Sequence, residues 1–197
     1  MNKGRLEAFS DGVIAILITI MVLDLKVPAS SSWQALAPLV PILLTYLLSF
    51  VYLGIYWNNH HHMLHATRQV TGGILWANLH LLFWLSLVPA TTAWLDATRY
   101  DPVPTALYGC VLLMAAIAYT VLQQAIIRSQ GPDSLLKRAV RGDWKGKLSL
   151  LLYALAVVTA FRYPFLALIL YAVVALLWLV PDRRIERVLT QAQAEPS

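Results

Sequence analysis

Long apolar runs separated by short polar breaks dominate this chain of 197 residues. A bilayer-spanning helix needs roughly 17–25 mostly apolar residues. Runs of that kind extend from about Ala8 to Leu25, Trp33 to Trp57, Gly72 to Leu95 and Pro104 to Ile127. A last run, Leu148–Val180, is too long for a single crossing and is interrupted by Arg162, Tyr163 and Pro164. Proline disfavours helical backbone at the residue before it. The run therefore reads as two short helices, Leu148–Phe161 and Phe165–Val180, joined as a hairpin. The pattern predicts an all-α integral membrane protein with six transmembrane helices.

Composition agrees with the pattern. Hydrophobic residues make up 59% of the chain and charged residues only 13%, with mean hydropathy +0.64. A soluble domain carries about 25% charged residues, and disorder needs more charge still. The single cysteine, Cys110, excludes an intrachain disulfide and a cysteine-built zinc site. A net charge of +5 would suggest nucleic-acid binding in a soluble protein, but the cations are sorted. With six spans, one side receives Lys3, Arg5, Arg68, Arg128, Lys137, Arg138, Arg141, Lys145, Lys147, Arg183, Arg184 and Arg187. Lys26, Arg99 and Arg162 fall on the other. Cytoplasmic loops are the lysine- and arginine-rich ones, so both termini are expected in the cytoplasm and no nucleic-acid partner is. Lys3 and Arg5 before an apolar run mimic a signal peptide, but Asp11 interrupts its start, and a retained first helix is expected. The loop Ser129–Gly146 reads as a cytoplasmic linker. Residues 1–190 are expected to form one transmembrane domain, followed by a short flexible tail, 191–197.

Ionisable groups at membrane depth are costly and mark candidate sites. Arg5 can snorkel to the interface, but Asp11, beside Ser10, needs a partner inside the bundle. It reads as an anchor between helices or as a cation or proton site. On a helical wheel Ile16, Ile20 and Leu23 lie within about 40° of one another, and Asp11 about 140° from Ile16. Taken alone, such a stripe reads as lipid contact or ordinary packing, and wheel geometry does not make a pore. Beyond Tyr56, Trp57, Asn58 and Asn59 comes a histidine cluster, His60, His61, His62 and His65. If the second helix continues, His61 and His65 share a face. No acidic residue or cysteine lies nearby in sequence, so partners for Asp11 or proton-sensitive groups are favoured over a metal site. Trp76, Asn78 and His80 add polar groups to the third helix. No nucleophile–base pair, phosphate loop or metal-hydrolase motif is present, and an enzyme is not expected.

The string Arg5-Leu6-Glu7-Ala8-Phe9-Ser10-Asp11-Gly12 resembles the signature opening of the transmembrane protein 175 family of endosomal and lysosomal potassium channels and their bacterial relatives. Its motif is Arg, three residues, then Phe-Ser-Asp on the first helix. A second likeness is Tyr56-Trp57-Asn58-Asn59-His60-His61-His62, followed by Leu75-Trp76-Ala77-Asn78-Leu79. Together they cover roughly residues 5–95; the last three helices match only in hydropathy and length. The resemblance implies a homotetramer in which the first helix of each subunit lines a central pore. It also implies a constriction of apolar side chains at Ile16, Ile20 and Leu23, with Thr19 beside it. Arg5, Phe9, Ser10 and Asp11 would then belong to a polar network off the pore, joined by His61 and by Trp76 or Asn78. Gln69-Val70 departs from the family pattern, in which an acidic residue is expected.

What these readings imply is a passive potassium-conducting channel of the inner (plasma) membrane, multi-pass and homo-oligomeric, passing potassium and other monovalent cations. No cofactor is expected beyond the permeant ions. The alternative is a proton- or metal-coupled secondary transporter using Asp11 and the histidines.

Overall fold

A computed structural model describes residues 2–25, 27–28, 30–131, 134, 136–137 and 143–179. Every regular element among them is helical: α1 (Lys3–Ile20), α2 (Val40–His65), α3 (Gly72–Ser86), α4 (Val88–Ala97), α5 (Pro102–Gln130), α6 (Trp144–Ala160) and α7 (Pro164–Leu179). Among the described residues, four helical stretches are long and apolar enough to cross a membrane: Lys3–Asp24, Trp33–His65, Gly72–Ala97 and Pro102–Gln130. Pro164–Leu179 is a shorter apolar helix.

Local chemistry explains most of the boundaries. Asn2 caps α1 by accepting the Gly4 N–H, and Thr71 caps α3 by accepting that of Ile74. After Ile20 the chain tightens into a 3-10 turn, Met21–Asp24. A longer 3-10 stretch, Trp33–Leu39, leads into α2 through Pro38 and Pro41. α5 opens on Pro102, at a position where a missing N–H costs nothing, and closes at Gly131 with φ of 73°.

Three boundaries differ from those expected. α2 runs past Trp57 to His65, so the histidines sit on helix. The single third helix breaks at Leu87 into α3 and α4, because Pro89 cannot donate to the carbonyl of Leu85 and its ring crowds that turn. α6 starts at Trp144 rather than Leu148, since Asp143 accepts the Gly146 N–H and carries the helix out past Lys145 and Lys147. The expected break at Arg162–Pro164 is present, and α6 and α7 pack against each other as a hairpin. Lys26, much of the Ser129–Gly146 loop, Val180, and the expected basic stretch and tail after it lie outside the described residues.

α5 is the central element, packed on α3, α4, α6 and α7, while α1 leans on α2 and α3. The core is rich in tyrosines that bond between helices: Tyr52 Oη donates to the Tyr171 carbonyl (2.6 Å) and Tyr171 Oη to that of Thr105 (3.2 Å). Ser49 on α2 joins Thr92 on α4 (2.8 Å) and Tyr108 on α5 (3.0 Å). Such bonds hold helices together where lipid offers no hydrophobic drive. The helix ends are gathered in register. Lys3 Nζ donates to the His65 carbonyl, Gln130 Nε2 to that of Ala66 and Lys145 Nζ to that of Leu177. The α1 and α6 N-termini thus share one end with the α2, α5 and α7 C-termini.

Candidate functional site

α1 carries two separate faces. Leu6, Ser10, Ile14 and Leu17 recur every three or four residues and are buried against the bundle. Ile16, Ile20 and Leu23 lie round the helix from them and are 59%, 41% and 80% exposed. Because residues three apart eclipse in a 3-10 helix, the turn after Ile20 keeps Leu23 nearly over Ile20. Phe9 is exposed too, and Thr19 turns its hydroxyl inward to its own helix, donating to the Ile16 carbonyl (2.9 Å).

The buried face holds a directional chain of hydrogen bonds. Ser10 Oγ donates to the Leu6 carbonyl (2.9 Å) and accepts from Asn78 Nδ2 (3.0 Å). That fixes the Asn78 amide so that Oδ1 faces His60 Nε2 at 2.7 Å. The ring must therefore donate from Nε2, which leaves Nδ1 as a buried acceptor without a partner among the described residues. All three side chains are buried, and they join α1, α2 and α3.

Of the expected network, Ser10 and Asn78 are brought together; Arg5, Phe9, His61 and Trp76 are not. The histidine in the chain is His60, because α2 buries Tyr52, Tyr56 and His60 at four-residue steps and turns His61 outward. Trp76 is 75% exposed. Asp11 bonds no histidine; its Oδ1 accepts from Trp57 Nε1 at 3.0 Å. Trp57 in turn stacks on His61, and His61 on His65, at ring separations of 6.2 Å each. This ladder stays on one helix, and His80 likewise accepts from Trp84 within α3. Among the described residues no group of three or more histidine, cysteine or acidic side chains is arranged to hold a metal. The role of Trp57 escaped sequence reasoning, although its place four residues before His61 put it on the same helical face.

Comparison with known proteins places this geometry. The family described as endosomal/lysosomal potassium channel TMEM175 matches residues 5–89, the part that contains both α1 faces and the Ser10–Asn78–His60 chain. A potassium channel of Chryseobacterium sp. (strain P1-3) is 54% identical over 191 residues, covering 97% of this chain and 100% of the relative. The chain belongs to the TMEM175 family. A potassium channel of Streptomyces collinus is 37% identical over 138 residues, 66% of this chain and 67% of its own length. Among solved structures, the crystal structure of a lysosomal potassium-selective channel TMEM175 homolog from Chamaesiphon minutus aligns with TM-score 0.74 at 26% identity, covering 91% of this chain and 97% of that one. As a TMEM175 protein with several span-length apolar helices, the chain is a multi-pass membrane protein of a channel family, not of an enzyme family.

Proposed function

We propose that this chain is one subunit of a homotetrameric potassium channel in the inner (plasma) membrane, with six crossings and both termini in the cytoplasm. Residues 1–190 make the channel domain, and 191–197 a tail. The first helix of each subunit lines the pore, and Ile16, Ile20 and Leu23, with Thr19 beside them, form its constriction. The observation that carries this reading is the two-faced α1: an apolar stripe stays exposed on a helix whose other face is committed to the bundle. Around a four-fold axis that stripe becomes stacked apolar rings, which gate by dewetting and set a size-dependent barrier to partly dehydrated ions. Potassium is the permeant species; the name of the Chryseobacterium relative supports the choice. The Ser10–Asn78–His60 chain and the Asp11–Trp57 bond serve to hold α1 at a fixed rotation.

Reconstituted protein is expected to pass potassium in unitary current steps, and Leu23→Ala to raise sodium flux relative to potassium. Ile16→Asn, which wets the ring, is expected to raise the conductance. Flux indifferent to both changes contradicts the constriction. Flux without unitary steps, coupled to a pH gradient and lost in a folded Asp11→Asn protein, would instead support a secondary transporter.

A further inference from the structure

Lys3, Glu7 and Asp11 recur at four-residue steps on α1 and fall within about 80° of one another round the helix. Trp57, His61 and His65 recur at the same step on α2 and stack as a ladder, with ring separations of 6.2 Å. The two helices run antiparallel, and two contacts tie the rows together. Trp57 Nε1 donates to Asp11 Oδ1 (3.0 Å), and Lys3 Nζ donates to the His65 carbonyl (2.8 Å). These contacts lie eight residues apart on both helices, so they fix a common register. Four residues inward from either contact come Glu7 on α1 and His61 on α2. The middle rung therefore sets a carboxylate opposite an imidazole, with Glu7 partly exposed and His61 exposed.

Among the described residues Glu7 has one ionic partner, Lys3 at 3.8 Å, a separation longer than a hydrogen bond. Its carboxylate keeps acceptor capacity for a second cation. Histidine is the side chain that changes charge between pH 5 and 8, and in its charged form it offers a carboxylate a charge-assisted bond. From α1, the carboxylates Glu7 and Asp11 and the ammonium of Lys3 face His61; on its own helix His60, His62 and His65 adjoin it. Both carboxylates act electrostatically on His60, one residue away. His80 of α3 is engaged with Trp84, Arg5 points about 160° round α1 from Glu7, and Arg68 lies beyond the end of α2. Tyr119 and Tyr171 meet α2 on its buried side, and Asp96 meets it near Ile42 and Tyr46, at the far end. We propose that Glu7 and His61 are positioning residues for α1: protonation of His61 closes the middle rung, and the pair then grips the N-terminal half of α1 against α2 more firmly in acid. Glu7 is nine residues from Ile16, about 180° round the helix, so the grip acts from behind the apolar stripe without touching it. Its bearing on conduction rests on the reading that α1 lines the pore.

A double-mutant cycle with Glu7→Gln and His61→Gln tests this on the full-length protein in detergent, reading the thermal unfolding midpoint at about pH 8 and about pH 5.5. Both substitutions keep a polar side chain at an exposed or partly exposed position and remove only the charge. At the higher pH the two changes are expected to be independent. At the lower pH each alone is expected to lower the midpoint by about 2 °C, the scale of one partly exposed ion pair in a chain of this size, and the second change to add nothing. His65→Gln, one rung away, is expected to leave the coupling between Glu7 and His61 in place. Coupling that is absent at the lower pH, equal at both, or lost with His65→Gln overturns the proposal. In reconstituted protein, acidification on the side of the α1 N-terminus is expected to change potassium conductance about twofold in the wild type and by less in either variant. Equal pH sensitivity in the wild type and Glu7→Gln overturns the positioning role. Acid-dependent coupling in a protein that passes no potassium supports the grip and counts against the proposed channel, so the two failures are distinguishable.

Discussion

Asn78 is the side chain on which the α1–α2–α3 junction turns, because its amide is used at both ends, one group donating to Ser10 and the other accepting from His60. Asn78→Leu is nearly the same size but leaves the buried His60 N–H unpaired, at about 1–3 kcal/mol, while Ser10 loses its donor from Asn78 and keeps its bond to the Leu6 carbonyl. Thermal unfolding in detergent is expected to show a large loss for Asn78→Leu and a comparable one for His60→Leu, but almost none for the exposed His61→Ala. Asp11 behaves differently. Asp11→Asn keeps an acceptor oxygen for Trp57 Nε1 and is expected to lower stability by less than Asp11→Leu, which removes it. The residues of this junction were only partly legible in the sequence. Ser10 and Asn78 stand out as polar groups inside apolar runs, and that is enough to find them. The choice between neighbouring histidines depends on helix rotation to within one residue, and a run of three consecutive histidines carries no such phase. The phase lies in the tyrosines before them, since Tyr52, Tyr56 and His60 repeat every four residues.

At the level of the elements, apolar run length located the helices and the Arg162–Pro164 break, whereas their ends were set by chemistry that hydropathy does not weigh. The α3–α4 break comes from one proline inside a continuous apolar run, and the early start of α6 from a capping aspartate among lysines. Helix contacts were less legible still, and Gly109 on α5 is an example. A Cβ there would overlap the hydroxyl and ring of Tyr171, which also donates to Thr105 one turn earlier on the same helix. The missing side chain lets α7 seat its tyrosine directly on α5. Gly109→Ala gains helix propensity of about 1 kcal/mol, yet overpacking a rigid ring contact costs about 1–3 kcal/mol. The net expectation is a destabilised α5–α7 contact, read as a lower unfolding midpoint and as faster proteolysis in the α6–α7 hairpin. Nothing in the sequence around Gly109 distinguishes it from a glycine facing lipid; only the partner helix does.

For the whole molecule, the decisive question is how often the chain crosses the bilayer, and the last hairpin decides it. Helices of 17 and 16 residues span about 24–26 Å at 1.5 Å per residue, short of a hydrocarbon core of about 30 Å. The four longer stretches face no such difficulty. Against the short length stands Arg162 at the hairpin tip, exposed beside Tyr163 and with its guanidinium 5.3 Å from that ring centroid. An arginine at the tip is tolerated if the turn reaches the far headgroups and is costly if the hairpin stops in lipid. The tip also lies with the opposite helix ends: Tyr100, in the α4–α5 turn, packs edge-on against Phe165 at 5.9 Å and shares a hydrogen bond with Thr45 near the start of α2. That placement of the tip favours a full crossing, in which local thinning of the bilayer would absorb the mismatch. Single cysteines placed in a Cys110→Ser background test this directly with a membrane-impermeant thiol reagent on intact cells. Ser31→Cys, Arg99→Cys and Arg162→Cys are expected to label from outside, and Asn2→Cys and Ser129→Cys only after permeabilisation. Protection of position 162 under conditions that label 31 and 99 would mean that the hairpin re-enters rather than crosses. In that case the chain crosses four times and the basic residues after α7 remain on the side of α1's N-terminus, so labelling at 162, not charge sorting, separates the two topologies.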